Sequence, residues 1–167
     1  MRKKGFLWFI PSLLLMALIF YMSSRVSEES ADMSGTLAEW LVKVFSNVFN
    51  RDMSDVQIAE SAQVLDPIIR KFAHMTEYTL LSVSLVFGFV KGTKFRDYRI
   101  YVIPGVVSLL YAITDEVHQL FVPGRSGELR DVLIDCIGAM IGILLVYLLN
   151  SCVRASRMNK ARKRMGA

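Results

Sequence analysis

Four blocks of apolar residues dominate this chain, each close to the length of a bilayer-crossing helix. They run from about Gly5 to Met22, Pro67 to Val90, Ile100 to Phe121 and Asp131 to Leu149. A helix needs about 20 mostly apolar residues to cross the hydrocarbon core of a membrane. With 167 residues in all, little chain is left for a separate soluble domain. Composition alone decides nothing here, because a hydrophobic share of 53% is only slightly above that of soluble proteins. The gathering of those residues into blocks predicts an all-α fold, a polytopic membrane bundle of four transmembrane helices.

Charge sets the expected orientation. Arg2, Lys3 and Lys4 precede the first block. Lys91, Lys94, Arg96 and Arg99 separate the second from the third, and Arg154, Arg157, Lys160, Arg162, Lys163 and Arg164 fill the tail. Placing both termini and the 91–99 loop in the cytoplasm gathers most of the Lys and Arg on one side, with Asp97 as the sole acid there. By the positive-inside rule the chain is N-in and C-in. The first block has the basic start of a signal peptide. Its apolar run is longer than a signal core and Ser23-Ser24-Arg25 is a poor cleavage site, so an uncleaved span is expected. The net charge of +5 and the basic tail do not indicate nucleic acid, since the tail follows a hydrophobic block directly and reads as an anchor on anionic lipid. Cys136 and Cys152 form neither a disulfide framework nor a C-x-x-C motif.

The chain thus divides into a cytoplasmic N-terminus with the first span (1–22), an extracytoplasmic loop (23–66), a three-span core (67–149) and a basic cytoplasmic tail (150–167). In the loop, Leu37, Trp40, Leu41, Val44, Phe45, Val48 and Phe49 repeat at helical spacing. They predict an amphipathic helix that lies on the outer leaflet or across the tops of the spans. Ser54 and Gln57 have capping-box spacing for a second short helix. Asp66 reads as the N-cap of the second span, with Pro67 at its first position. Pro11 predicts a kink in the first span, Pro104 sits near the start of the third, and Pro123-Gly124 marks a turn.

The polar residues of the spans are the informative ones, because a charge at mid-membrane costs about 2.5–3.5 kcal/mol even on insertion scales. Lys71, His74 and Tyr78 share a face of the second span, with Glu77 beside His74. Tyr111, Asp115 and Gln119 share a face of the third, with Glu116 on its edge and His118 nearby. The fourth begins Arg130-Asp131 and then places Asp135, Gly138 and Gly142 on one stripe. Its G-x-x-x-G lets a neighbouring helix approach closely. With the expected orientation, the start of the second span, the end of the third and the start of the fourth all lie at the outer leaflet. Three sets of polar residues therefore meet at one depth, and Arg125 hangs over them. A few ion pairs between Lys71, Arg125 or Arg130 and the acids would serve as interhelical glue. The excess of acids, with His74, His118 and Gln119, points beyond glue to a site.

These segments resemble the VanZ-like family. The resemblance rests on Arg70-Lys71-x-x-His74-x-x-Glu77-Tyr78, on Asp115-Glu116-x-x-Gln119-x-Phe121-x-Pro123-Gly124-Arg125, and on Asp131-x-x-x-Asp135-x-x-Gly138-x-x-x-Gly142. It covers about residues 67–149. Met75 stands where many members have an aromatic, and Asp135 where many have asparagine, an extra acid that raises the affinity of the site for a cation. The family takes its name from a bacterial membrane protein associated with resistance to the glycopeptide teicoplanin. The resemblance therefore implies a multi-pass protein of the bacterial plasma membrane that acts at the cell envelope, with lowered glycopeptide susceptibility as one expected outcome.

Two functions fit. In the first, an outer polar site binds an envelope lipid, a lipid-linked cell-wall precursor or a glycopeptide. Lys71, Arg125 and Arg130 grip phosphate or carboxylate, acids such as Glu77 and Glu116 hold amines or a divalent cation, and Tyr78, Asp115, Gln119, Asp131 and Asp135 complete the wall. In the second, a membrane-embedded enzyme uses His74, Glu77 and Glu116 as acid–base groups on a lipid-linked substrate, or holds a metal through His74, Glu77, Glu116 and Asp131. No metal or other cofactor is assigned, because two histidines and scattered carboxylates lack a recognised zinc spacing. No G-x-S-x-G nucleophile motif is present. An ion pathway fits least, since the inner halves of the spans carry almost no polar residues.

Overall fold

The computed structural model describes residues 5–25 and 27–165, and the side chains of 5–25 and 34–158. Arg2, Lys3 and Lys4, and the side chains of Lys160, Arg162, Lys163 and Arg164, lie outside the described residues. The described chain is helical throughout and contains no strand. A 3-10 turn, Gly5–Phe9, leads into α1 (Ile10–Ser23), followed by α2 (Ser27–Val48), α3 (Asp55–Gly92), α4 (Arg99–Gln119) and α5 (Leu129–Met165). Four helices are long and apolar enough to cross a membrane: the segments Gly5–Ser23, Asp55–Gly92, Arg99–Gln119 and Leu129–Met158. This is the four-span helical bundle that the apolar blocks predict.

Several boundaries differ from expectation. The second span does not start at Asp66 and Pro67. It is the continuation of a 38-residue helix that begins at Asp55. The capping box supplies that start: Ser54 Oγ accepts from the Gln57 amide and Gln57 Oε1 accepts from the Ser54 amide. Pro67 is an interior residue of α3 and leaves the Gln63 carbonyl without its helical donor. Both residues are exposed, so that carbonyl is not sealed away. At 1.5 Å per residue α3 is about 57 Å long, well beyond the ~30 Å hydrocarbon core, and its first turns project past the bundle. Residues 55–66 are thus part of a spanning helix rather than loop. Pro11 falls in the first turn of α1, where a missing donor is harmless, so the change of backbone comes at the 3-10 junction and not as a kink in mid-span. Helix α5 likewise runs on through the basic tail.

Helix α2 packs on the projecting part of α3. Its buried residues are small or medium: Ser34, Ala38, Val42 and Ser46, spaced four apart. Across from them lie Ile58, Ala62 and Asp66 of α3, also buried. The large apolar face of α2 (Leu37, Trp40, Leu41, Val44, Phe45, Val48 and Phe49) is exposed.

The helix pair α3–α5 is the most extensive contact in the bundle. It rests on the G-x-x-x-G stripe. A side chain at Gly138 would collide with the Met75 carbonyl, and one at Gly142 with the Thr79 carbonyl and Ser82 Oγ. At these two positions only a hydrogen allows the backbones to approach so closely. Thr79 Oγ1 uses the proximity to donate to the Gly138 carbonyl at 2.8 Å. The apolar core between the helices is built from Ile19, Tyr78, Leu81, Leu85, Ala112 and Val132.

Candidate functional site

The C-terminal end of α1, the middle of α3, the C-terminal end of α4 and the N-terminal end of α5 meet at one end of the bundle. Here the polar residues of the spans are concentrated. Lys71 Nζ of α3 donates to Asp131 Oδ1 of α5 at 2.5 Å, an interhelical pair with both side chains about one-third exposed. One turn earlier, Arg70 donates to Asp66 at 2.6 Å, and Asp66 also accepts from Ser34 of α2. Asp66 is therefore not a helix cap. It ties α2 to α3 and holds Arg70 in place. Glu116 Oε2 accepts the Glu128 backbone amide at 2.8 Å, which puts a carboxylate at the N-terminal end of α5, where the exposed amides favour negative charge.

Asp115 is 2% exposed. Its Oδ2 accepts from Ser23 Oγ of α1 at 2.9 Å and from Gln119 Nε2 at 3.2 Å. The end of α1 makes further ties to α4 and the turn after it. Ser24 Oγ lies 3.0 Å from His118 Nε2, Phe20 stacks on the His118 ring at 4.3 Å, Tyr111 donates to the Met16 carbonyl, and Arg125 Nη2 reaches the Met22 carbonyl at 3.5 Å. The first span thus belongs to the site, although the polar pattern of the sequence placed the site in the other three. One signal for it was present: Ser23 and Ser24 end an apolar run at the depth where the charges of the other helices gather.

Two cavities open here. One of about 260 Å³ is lined by Arg70, Lys71, His74, Glu116, Gln119, Arg125, Glu128, Asp131 and Asp135, among others. A second, of about 200 Å³, is lined by Met22, Leu37, Ile69 and Ala73 with Arg70, His74, Glu77 and Arg125. Arg70, His74 and Arg125 line both. Burial lowers the Arg125 guanidinium from its ordinary value, while nearby Asp115 raises it. A guanidinium remains charged under either influence.

Most of the sequence-predicted site residues are gathered here, but Asp115, Tyr78 and Arg130 line neither cavity. Tyr78 is fully buried in the apolar core and lines neither cavity, so it does not form part of the wall. One turn beyond His74 on the same helical face, its ring lies 6.2 Å from that of Tyr111, centroid to centroid. Arg130 is exposed and lines neither cavity. His118 is held by Ser24 and Phe20, away from both. The metal grouping of His74 with Glu77, Glu116 and Asp131 is not what the fold brings together. Glu77 is near, with its Oε2 3.7 Å from His74 Nδ1. Among the described residues, the acids with a ligand atom close to one on His74, and to each other, are Asp115 and Asp135. That grouping depends on how three helices are rotated about their axes, which spacing within one helix does not reveal.

A protein-family model described as VanZ/LLP1 matches residues 8–150 of the chain. No curated protein and no solved structure matches it.

Proposed function

The chain belongs to the VanZ/LLP1 family, and from that premise we propose that it binds the anionic head of an envelope lipid or lipid-linked cell-wall precursor in the cavity between α3, α4 and α5. One observation carries this reading. A polar cavity and a more apolar one adjoin and share Arg70, His74 and Arg125. A soluble polar ligand needs only the first. An amphiphile fits both, with its phosphate among the basic groups and its chain against Met22, Leu37, Ile69 and Ala73. Arg125 offers a forked donor suited to phosphate or carboxylate. In this reading the polar end of the bundle lies at the outer leaflet of a bacterial plasma membrane, with both termini in the cytoplasm, and occupation of the site lowers susceptibility to glycopeptides of the teicoplanin type.

The test is binding of defined lipids to the purified chain by native mass spectrometry. Phosphatidylglycerol and a polyprenyl diphosphate are the probes, with phosphatidylcholine as comparison. Preferential retention of either anionic probe, weakened about tenfold in Arg125→Gln, supports the reading. Equal retention of all three by wild type and variant overturns it. Teicoplanin susceptibility of a sensitive Gram-positive host, with wild type against Arg125→Gln at matched membrane levels, tests the resistance step separately.

The enzymatic alternative rests on the neighbouring His74 and Glu77, a pair placed to move a proton at the junction of the two cavities. It expects Glu77→Gln to keep lipid binding and lose turnover of a polyprenyl diphosphate.

A further inference from the structure

At the polar end His74 Nδ1, Asp115 Oδ1, Asp135 Oδ1 and the Tyr78 hydroxyl beside them are buried polar atoms without a hydrogen-bond partner among the described residues, and the first three belong to groups that can ligate a metal. Asp115 and Asp135 are each 2% exposed. Asp135 has no hydrogen bond and no ion pair among the described residues, and Asp115 has no ion pair there. A ligand atom of each of the three residues lies within 4.8 Å of one on both of the others. Buried carboxylates are costly unless paired, protonated or bound to a metal. Lys71 and Arg70, the nearest bases on α3, are already engaged with Asp131 and Asp66.

We propose that His74, Asp115 and Asp135 form a binding site for one divalent transition-metal cation of the zinc or manganese class. The donor set is one imidazole and two carboxylates, which suits these ions better than calcium or magnesium. Three protein ligands leave coordination positions for water or a ligand oxygen, and His74 and Asp135 line the polar cavity from which either would come. Bonds of about 2.0–2.2 Å to one ion draw these donor atoms together. The supporting contacts are those a metal site uses. Asp115 has one oxygen fixed by Ser23 and Gln119 and the other without a partner. His74 Nδ1 makes no hydrogen bond among the described residues, and Glu77 Oε2 lies 3.7 Å from it, beyond hydrogen-bond reach, which leaves this nitrogen open to the ion. The proposal does not depend on the lipid reading, since the cation neutralises the two aspartates whether or not a headgroup is bound.

The test uses the full chain without an affinity tag, in micelles. It is stripped with a chelator, then titrated with Zn²⁺ and, separately, Mn²⁺, with elemental analysis after desalting. The expected result is one ion per chain for wild type and for the surface control Glu39→Gln. Asp135→Asn is expected to lose the ion, and Ser23→Ala to bind it about tenfold more weakly. X-ray absorption on the zinc-loaded wild type is expected to show imidazole and oxygen ligands without sulfur, which keeps the proposal testable if a variant fails to fold. Failure of folded wild type to retain either ion, undiminished retention by Asp135→Asn, or a sulfur ligand overturns it. The lipid experiment above is read on the same preparations with and without metal, so failure of one reading is distinguishable from failure of the other.

Discussion

The two ends of this bundle are closed by different chemistry. At the end away from the site, the 3-10 turn lies against the last turn of α3 so closely that Gly5 and Gly92 each face the other's backbone, with no room for a side chain on either. Phe9 covers Gly88 and meets Phe89 edge-on at 5.2 Å, and Tyr101 meets Tyr147 at 5.6 Å. Between that end and the middle, Ser12 and Ser84 share a hydrogen bond at 2.9 Å. At the site end the close approach of Gly138 to the Met75 backbone is joined by charges, ties from side chain to backbone, and two adjoining cavities. A membrane helix bundle gains little from apolar burial, because lipid is as apolar as leucine. It is held by close packing where it must be rigid. It can leave polar groups imperfectly matched where a ligand completes them. The contrast therefore separates scaffold from site.

The contrast breaks most easily at its tight end. Gly92→Val forces a branched side chain into the Gly5 backbone and the Phe9 ring. The expected loss is about 3 kcal/mol, at the upper end for overpacking, read as a fall in the thermal midpoint in micelles with lipid affinity unchanged in the fraction that remains folded. A loss under about 1 kcal/mol would mean that the first span can part from α3.

Ser23→Ala comes next. It removes one of the two donors to Asp115 Oδ2 and leaves a buried carboxylate less well satisfied. A cost of about 1–2 kcal/mol is expected by the same melt. Unlike Gly92→Val, this change also weakens metal binding, so the two variants separate scaffold from site by readout as well as by size. Lys71→Met is the reverse of Gly92→Val. Its pair with Asp131 is about one-third exposed on both sides, so the stability cost is held to about 1 kcal/mol by screening. Lipid retention falls about tenfold if the ammonium also meets the headgroup. Equal losses in both readouts would show that Lys71 serves only as glue.

How much of this was legible in the sequence follows the same division. The spans and their polar end could be read because each rests on spacing within one helix: apolar runs of bilayer length, and polar faces three and four residues apart. The G-x-x-x-G stripe was legible for the same reason, and Gly138 and Gly142 do face the backbone of α3. The start of α3 is ambiguous in the sequence because Asp66-Pro67 is an equally good helix start by local chemistry. The capping box at Ser54 and the exposed position of Pro67 let the helix run through it instead. Tyr78 shares the helical face of Lys71 and His74 but is buried in the apolar core, which spacing along one helix does not reveal. The grouping of His74 with Asp115 and Asp135 needs the mutual rotation of three helices. The place of Ser23 beside Asp115 needs the packing of a fourth, which no single-helix pattern encodes.

The smallest effect is expected at Asp97, in the loop of the tight end. Its carboxylate accepts from the Arg99 guanidinium at 2.7 Å. That hydrogen bond holds the carboxyl below its ordinary value, and the Arg99 backbone amide and positive charge act in the same direction. A lowered carboxyl pKa in the folded state contributes stability that is present above the unfolded-state value and lost as pH falls through the folded-state value. The group is exposed, so water and salt screen the pair. Asp97→Asn is therefore expected to leave the thermal midpoint unchanged at pH 7, and to leave its dependence on acid pH unchanged as well. A measurable shift in the midpoint would mean that the pair is shielded by lipid headgroups, and the tight end would then owe part of its closure to charge after all.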